Sequence, residues 1–148
     1  MSTDIEQRVL FKKLHEDAII PKKQREGDAA FDLYAIMKCT VRWNDHRSII
    51  PTGIAMAIPE GYVGIIKGRS GLAVNYGLDV LGGVIDSNYR GEVRVIVDMN
   101  HPTNLQIKKG DRVAQLLVVP IHTLGSAEVD ELPENLYRGD AGFGSSGV

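Results

Sequence analysis

Along the chain the apolar positions fall in short runs rich in Val and Ile, and Gly, Pro, Asn and Asp interrupt them every few residues. Short runs between turn formers predict strands, whereas amphipathic helices would repeat their apolar positions every three to four residues. The predicted strands are 9–14, 30–35, 48–51, 53–58, 62–67, 92–98 and 112–121. The last two are nearly continuous in apolar character and are expected to be buried on both faces. One short helix is predicted over 70–76, with Ser70 placed to cap it and Gly77 placed to end it. The layout suits an all-β domain, whether sandwich, jelly roll or distorted barrel.

Composition narrows this further. A length of 148 residues, 43% of them hydrophobic, is the size of one domain and buries roughly 70% of the unfolded chain's surface. The 17 Lys and Arg against 19 Asp and Glu leave a net charge of −2, so no general field draws in a nucleic acid, although a small anion could enter a local basic pocket. The single cysteine, Cys39, can form no internal disulfide and reads as an inert, half-buried thiol in a reducing compartment. Met1 to Glu6 lack the layout of a secretory signal, and no apolar run approaches the ~20 residues of a membrane span. The expected location is the cytoplasm, or a host's cytoplasm if the protein is viral, with neither membrane nor nucleic acid as partner.

Four segments could carry chemistry, and each also has a plain structural reading. Gly68-Arg69-Ser70-Gly71-Leu72-Ala73 joins a guanidinium, a hydroxyl and the free N–H groups of a helix start, which suits phosphate oxygens; it equally fits a capped helix with a surface arginine. Gly82-Gly83-Val84-Ile85-Asp86-Ser87-Asn88-Tyr89-Arg90-Gly91 reads as an apolar strand delivering a carboxylate into a polar turn. An ordinary turn explains Asp86, Ser87, Asn88 and Gly91, but not the glycine pair before them, which would let the backbone approach a flat ligand closely. In Gly110-Asp111-Arg112-Val113-Ala114-Gln115-Leu116-Leu117, Gln115 is an amide within an apolar strand and must find hydrogen-bond partners in protein, water or ligand. In Ala30-Phe31-Asp32-Leu33-Tyr34-Ala35, alternation puts Asp32 and Tyr34 on one face.

The glycine-rich end, from Arg138 to Val148, lacks the lysine of a P-loop, and Phe143 is an odd side chain to leave in solvent. It reads either as a disordered end or as a tail that closes over something. His15, His46, His101 and His122 are scattered without metal-ligand spacing, which offers zinc no site, and no Gly-x-Ser-x-Gly elbow supplies an acyl-transfer nucleophile.

In their order along the chain these segments resemble the five motifs of the trimeric dUTPase family. The first is Asp28-Ala29-Ala30-Phe31-Asp32-Leu33-Tyr34-Ala35, the second begins at Gly68, the third runs from Gly83 to Gly91, the fourth begins at Gly110 and the fifth at Arg138. Pro51-Thr52-Gly53-Ile54 and Ile58-Pro59-Glu60-Gly61-Tyr62 extend the likeness over nearly the whole chain. The resemblance implies an all-β, distorted jelly-roll or β-barrel subunit with one short helix. It would assemble as a homotrimer with shared active sites, a β domain over 1–136 and a flexible C-terminal arm over 137–148 closing on the site. It implies hydrolysis of dUTP to dUMP and pyrophosphate with Mg²⁺, which removes dUTP from the DNA precursor pool and supplies dUMP for dTMP synthesis.

By the same resemblance Asp86 is the catalytic carboxylate that activates water. The hairpin 80–85, with Gly83 and Val84, reads uracil through its backbone, and Tyr89 lies under the sugar and excludes a ribose 2′-hydroxyl. Arg69, Ser70, Gly71 and Gln115 contact phosphates. Arg138 neutralises the triphosphate, Phe143 stacks on uracil, and Gly144, Ser145 and Ser146 line the phosphates. Asp32 serves the metal through water. Departures from the family pattern are Ala30 and Phe31, where Gly and Tyr are commoner, Asp140-Ala141 within the glycine-rich stretch, and Ser146 in place of Thr. The related dCTP deaminases need a glutamate in the strand after the third motif, where this chain has the apolar Ile96. A non-catalytic protein on the same fold would show broken motifs, and these are intact; a regulatory protein partner on loops outside the motifs is left open.

Overall fold

The computed structural model describes residues 8–147. Residues 1–7 and 148 lie outside the described residues, and with them the acidic N-terminal stretch and the last residue of the expected arm. The elements in chain order are β1 (Leu10–Lys13), β2 (Phe31–Tyr34), β3 (Cys39–Arg42), β4 (Ser48–Ala57), β5 (Tyr62–Lys67), helix α1 (Ser70–Tyr76), β6 (Leu78–Leu81), β7 (Val84–Ile85), β8 (Glu92–Met99), β9 (Asn104–Ile107) and β10 (Arg112–Pro120). Two four-stranded antiparallel sheets, ordered β1-β4-β8-β6 and β2-β10-β5-β7, pack with a small β3-β9 pair. This is the expected all-β, jelly-roll-like subunit with one short helix. Its core is built from inward positions of both sheets, Ile50, Val95 and Val97 from one and Leu33, Val113 and Leu116 from the other, all essentially fully buried.

Two expectations about strands are corrected. Strand β8 is not buried on both faces: Val93, Val95, Val97 and Met99 point into the core, while Arg94 and Ile96 are exposed. Period-2 alternation governs it because an antiparallel sheet needs only one face covered. Strand β10 comes nearer to two-sided burial, with Val113, Ala114 and Leu116 buried and Gln115 to Val119 otherwise half-buried. The two segments predicted at 48–51 and 53–58 are one continuous strand, β4. What looked like a break is a register slip against β8 between Pro51 and Ala55, with Gly53 at φ 67. Buried Thr52 secures the slip by donating its hydroxyl to the Val93 carbonyl at 2.5 Å.

Helix α1 ends as expected, at Gly77 in the left-handed conformation, whose N–H reaches the Ala73 carbonyl at 2.9 Å. Its start differs. Arg69 is the cap residue, extended and without a side-chain cap bond, and Ser70 is already the first helical residue, so its hydroxyl is not spent on capping. The sequence reading missed β3, β6 and β9, four-residue strands too short to stand out, although Leu105 and Ile107 alternate with Asn104 and Gln106. Cys39 is half-buried, and burial, helped by the Asp111 charge, pushes its thiol up from the ordinary value, which suits an inert group. Among the described residues no helix is long and apolar enough to cross a membrane. Beyond the Ile121 N–H, which donates to the Gly61 carbonyl at 2.8 Å, residues 122–147 are almost entirely exposed, without helix or strand, and among the described residues bond only locally.

Candidate active site

At the edge of the second sheet, β2 and β10 present Asp32, Tyr34, Arg112 and Gln115 on one face. Residues 112 and 115 are an odd number apart and would ordinarily face opposite ways. The register slip between Arg112 and Ala114 opposes three residues of β10 to two of β2 and turns Arg112 onto the Gln115 side. A bulge that re-aims a side chain in this way is common beside active sites. Arg69, just before α1, completes the group. Its Nε lies 3.9 Å from Asp32 Oδ1, and Arg112 Nη1 lies 3.6 Å from Asp32 Oδ2, so one carboxylate, with 13% of its side chain exposed, stands between two guanidiniums. Arg69 also donates to the Arg112 carbonyl at 3.2 Å, and Gln115 Nε2 donates to the Gly68 carbonyl at 2.8 Å. Gln115 therefore finds its donor-side partner within the protein. Ser70 and Gly71 line the same polar concavity.

A second concavity lies at the other edge of that sheet. The two-residue strand β7 delivers Asp86 into a turn closed by the Tyr89 N–H on the Asp86 carbonyl at 3.1 Å. Asp86 and Tyr89 line it together with half-buried Glu92 and exposed Val84, Arg94 and Ile96. The Tyr89 hydroxyl donates to the Glu92 carbonyl at 2.9 Å, and a side chain at Gly91 would collide with that ring. The Glu92 carboxylate is committed, accepting from the Gly53 N–H at 3.0 Å and the Arg94 Nε at 3.2 Å.

The glycine pair has a different cause from the one expected. Gly83, at φ 90, is pressed against β5: its carbonyl accepts from Ile66, and a Cβ there would stand 2.8 Å from the Ile66 carbonyl oxygen. The missing side chain is thus required by the protein's own backbone. The segment 80–85 is also not a hydrogen-bonded hairpin, because β6 pairs with β8 in one sheet and β7 with β5 in the other. Gly82-Gly83, both at positive φ, is the corner where the chain changes sheet.

The third group is the C-terminal segment. Arg138 Nε donates to the Ala141 carbonyl at 2.8 Å, and Arg138, Phe143, Gly144, Ser145 and Ser146 curl around a shallow hollow of their own. Phe143 is at φ 51 and wholly exposed.

One chain therefore gathers the expected residues into three places and does not bring the three together. Asp32 pairs with Gln115 and Gln115 with Lys67, while Val84 pairs with Ile65 and Ile85 with Gly64, which puts Asp86 in line with Val63. Three inter-strand steps and four residues along the strand separate Asp86 from Asp32 by on the order of 20 Å. Arg112 was the residue missed: it stands in the fourth motif, but the bulge that turns it inward leaves no mark in the sequence. Among the described residues no three His, Cys, Asp or Glu side chains form a metal nest.

The dUTPase family model matches residues 16–147. The deoxyuridine 5′-triphosphate nucleotidohydrolase of Paramecium bursaria Chlorella virus 1 is 45% identical over 140 residues, covering 95% of this chain and 98% of that protein. Among solved structures, a dUTPase of Staphylococcus bacteriophage 80alpha with dUpNHpp superposes with a TM-score of 0.86 at 28% identity, covering 95% of this chain and 99% of that one. A dUTPase from phage phi11 of S. aureus, described with a structural Mg(II) ion, gives a TM-score of 0.76 at 26% identity over 84% of this chain and 97% of its own.

Proposed function

The chain belongs to the dUTPase family, and from that premise we propose that it hydrolyses dUTP to dUMP and pyrophosphate by in-line attack of water on the α-phosphorus. The observation that carries this reading is the state of Asp86. Of the carboxylates lining the two concavities, Asp28 accepts from the Arg25 N–H, Asp32 stands between two arginines and Glu92 is held by Gly53 and Arg94. Asp86 is exposed and, among the described residues, carries no such partner. A positioned carboxylate free of partners can orient a water and accept its proton.

The triphosphate would lie on the other group. Arg69 and Arg112 offer guanidiniums to its oxygens, Ser70 an uncommitted hydroxyl, Gly71 a backbone N–H at the start of α1, and Gln115 an amide already aimed by Gly68. Charge on the departing pyrophosphate is met there rather than at Asp86. The donor set fits Mg²⁺ bound mainly by substrate phosphates and water, because a protein cage is missing among the described residues and Asp32 is the carboxylate nearest the arginines. Asp32 would hold Mg²⁺ through water, and the ion would supply neutralisation of phosphate charge. Val84 and its backbone would face uracil, and Tyr89, fixed through Glu92, would stand where a 2′-hydroxyl has no room.

A separation on the order of 20 Å within one chain is too great for one phosphate chain to bridge. A homotrimer with shared sites answers this: Asp86 of one copy meets the arginine group of a second, and a third copy lends Arg138, Phe143, Gly144, Ser145 and Ser146. The test is pyrophosphate release from dUTP, dCTP, dTTP and UTP with Mg²⁺, in the parent protein and in Asp86→Asn. The parent is expected to prefer dUTP, and the variant to lose about a thousandfold in kcat. Equal rates in the two proteins would refute the role of Asp86, and UTP turned over as well as dUTP would refute that of Tyr89.

A further inference from the structure

We propose that Arg25 is a third phosphate-binding arginine of the β2–β10 concavity, beside Arg69 and Arg112, acting on the triphosphate end of the substrate; the assignment rests on the dUTP reading above. Neither the order of motifs nor the spacing of charges marks it. The loop before β2 is strapped to that strand by two bonds, the Asp32 N–H to the Lys22 carbonyl at 2.9 Å and Gln24 Nε2 to the Tyr34 hydroxyl at 2.9 Å. Between the straps and β2 the chain makes a tight turn over Arg25-Glu26-Gly27-Asp28. The Asp28 N–H donates to the Arg25 carbonyl at 3.2 Å, and Gly27 takes φ 87, as the third position of a type II turn requires. The Asp28 carboxylate closes the turn from the other side by accepting from the Arg25 N–H at 3.0 Å.

The result is a fixed backbone that sets Arg25 on the rim of the concavity lined by Asp32, Arg69 and Arg112. Charge accounting then singles it out. Both carboxylates of the concavity are spent, Asp28 on a backbone N–H and Asp32 on the other two arginines. Among the described residues the Arg25 guanidinium makes neither an ion pair nor a hydrogen bond, and three guanidiniums against two carboxylates leave the concavity net positive. A planar fork with five donors and no internal acceptor suits the oxygens of a terminal phosphate. Substrate would find Arg69 and Arg112 already held by Asp32, and Arg25 would close on it from the loop side.

The test uses the full-length protein with Arg25→Ala and Arg25→Lys. Arg25→Ala is expected to raise KM for dUTP about tenfold with kcat within about twofold, since an exposed charged contact sits at the low end of its range. Calorimetric affinity for inorganic pyrophosphate in the presence of Mg²⁺ is expected to fall by a similar factor. Arg25→Lys should restore part of both, keeping the charge and losing the fork, and the unfolding temperature should not move. Unchanged KM and unchanged pyrophosphate affinity in Arg25→Ala would overturn the assignment, as would a loss confined to kcat. Because pyrophosphate affinity is read without turnover, the two readings separate. A parent chain inactive on dUTP whose pyrophosphate binding still depends on Arg25 would sink the substrate and leave the Arg25 site standing.

Discussion

At the β2–β10 edge, Asp32, Arg69, Arg112 and Gln115 are already bonded to one another or to nearby backbone before any ligand arrives, whereas Arg138, Phe143 and the serines after it sit on a segment that, among the described residues, has no bond to the body. The sheet edge has met its ordering cost during folding. The segment has not, and under the proposed closure it meets that cost on binding, where each fixed residue costs roughly 1–2 kcal/mol of backbone entropy. Rigid groups are suited to holding a charge in place, and a loose one to admitting substrate and then covering it. Phe143, an aromatic in a left-handed backbone conformation with its ring in solvent, is the residue of the segment with most to gain from the proposed closure.

The sharpest way to break this contrast is to remove the loose half. A chain ending at Tyr137 is expected to lose at least a hundredfold in kcat/KM for dUTP, since several phosphate donors and the stacking ring go at once. Its unfolding temperature should match the parent's, because residues 138–147 are almost entirely exposed. A truncated chain with full activity would show that the sheet edge suffices, and one that unfolds several degrees lower would show that the segment is part of the fold.

The contrast also decides what the amino-acid sequence could reveal. Strand class was legible because short runs rich in Val and Ile stand between turn formers, and the site segments were legible because their residues are contiguous. Three things were not. The bulge at Val113 turns Arg112 toward Asp32 through backbone pairing with a strand some 80 residues earlier, which no local pattern records. The burial of β8 on one face alone depends on which strands lie over it. The distance between Asp86 and Asp32 is a property of strand order, β2-β10-β5-β7, and that order is set by long-range pairing rather than by spacing along the chain.

Gly83 tests the corner that places Asp86. Gly83→Ala would force a side chain to φ 90 and set its Cβ 2.8 Å from the Ile66 carbonyl oxygen, a fixed backbone atom. The expected cost is about 2–3 kcal/mol of stability, read by denaturant unfolding. Gly71→Ala is the control: a Cβ there meets nothing within 4 Å, and alanine favours the helix it enters. If Gly83→Ala were as stable as the parent, the corner would be more pliant than its geometry implies, and the glycine would have to be explained by a ligand's approach instead.

The smallest expected effect sharpens the preformed half. Asp32 has two possible clients, the guanidiniums at 3.6 and 3.9 Å and a metal reached through water. Asp32→Asn keeps the side chain's shape but removes the charge that either client needs. If the carboxylate serves both, the Mg²⁺ concentration giving half-maximal rate should rise about tenfold, the scale on which outer-shell partners act on a metal. KM for dUTP at saturating Mg²⁺ should then rise only a few-fold, as the arginines lose one partner of a partly exposed set. A higher KM with an unmoved Mg²⁺ midpoint would assign Asp32 to the arginines alone, leaving the metal to substrate and water.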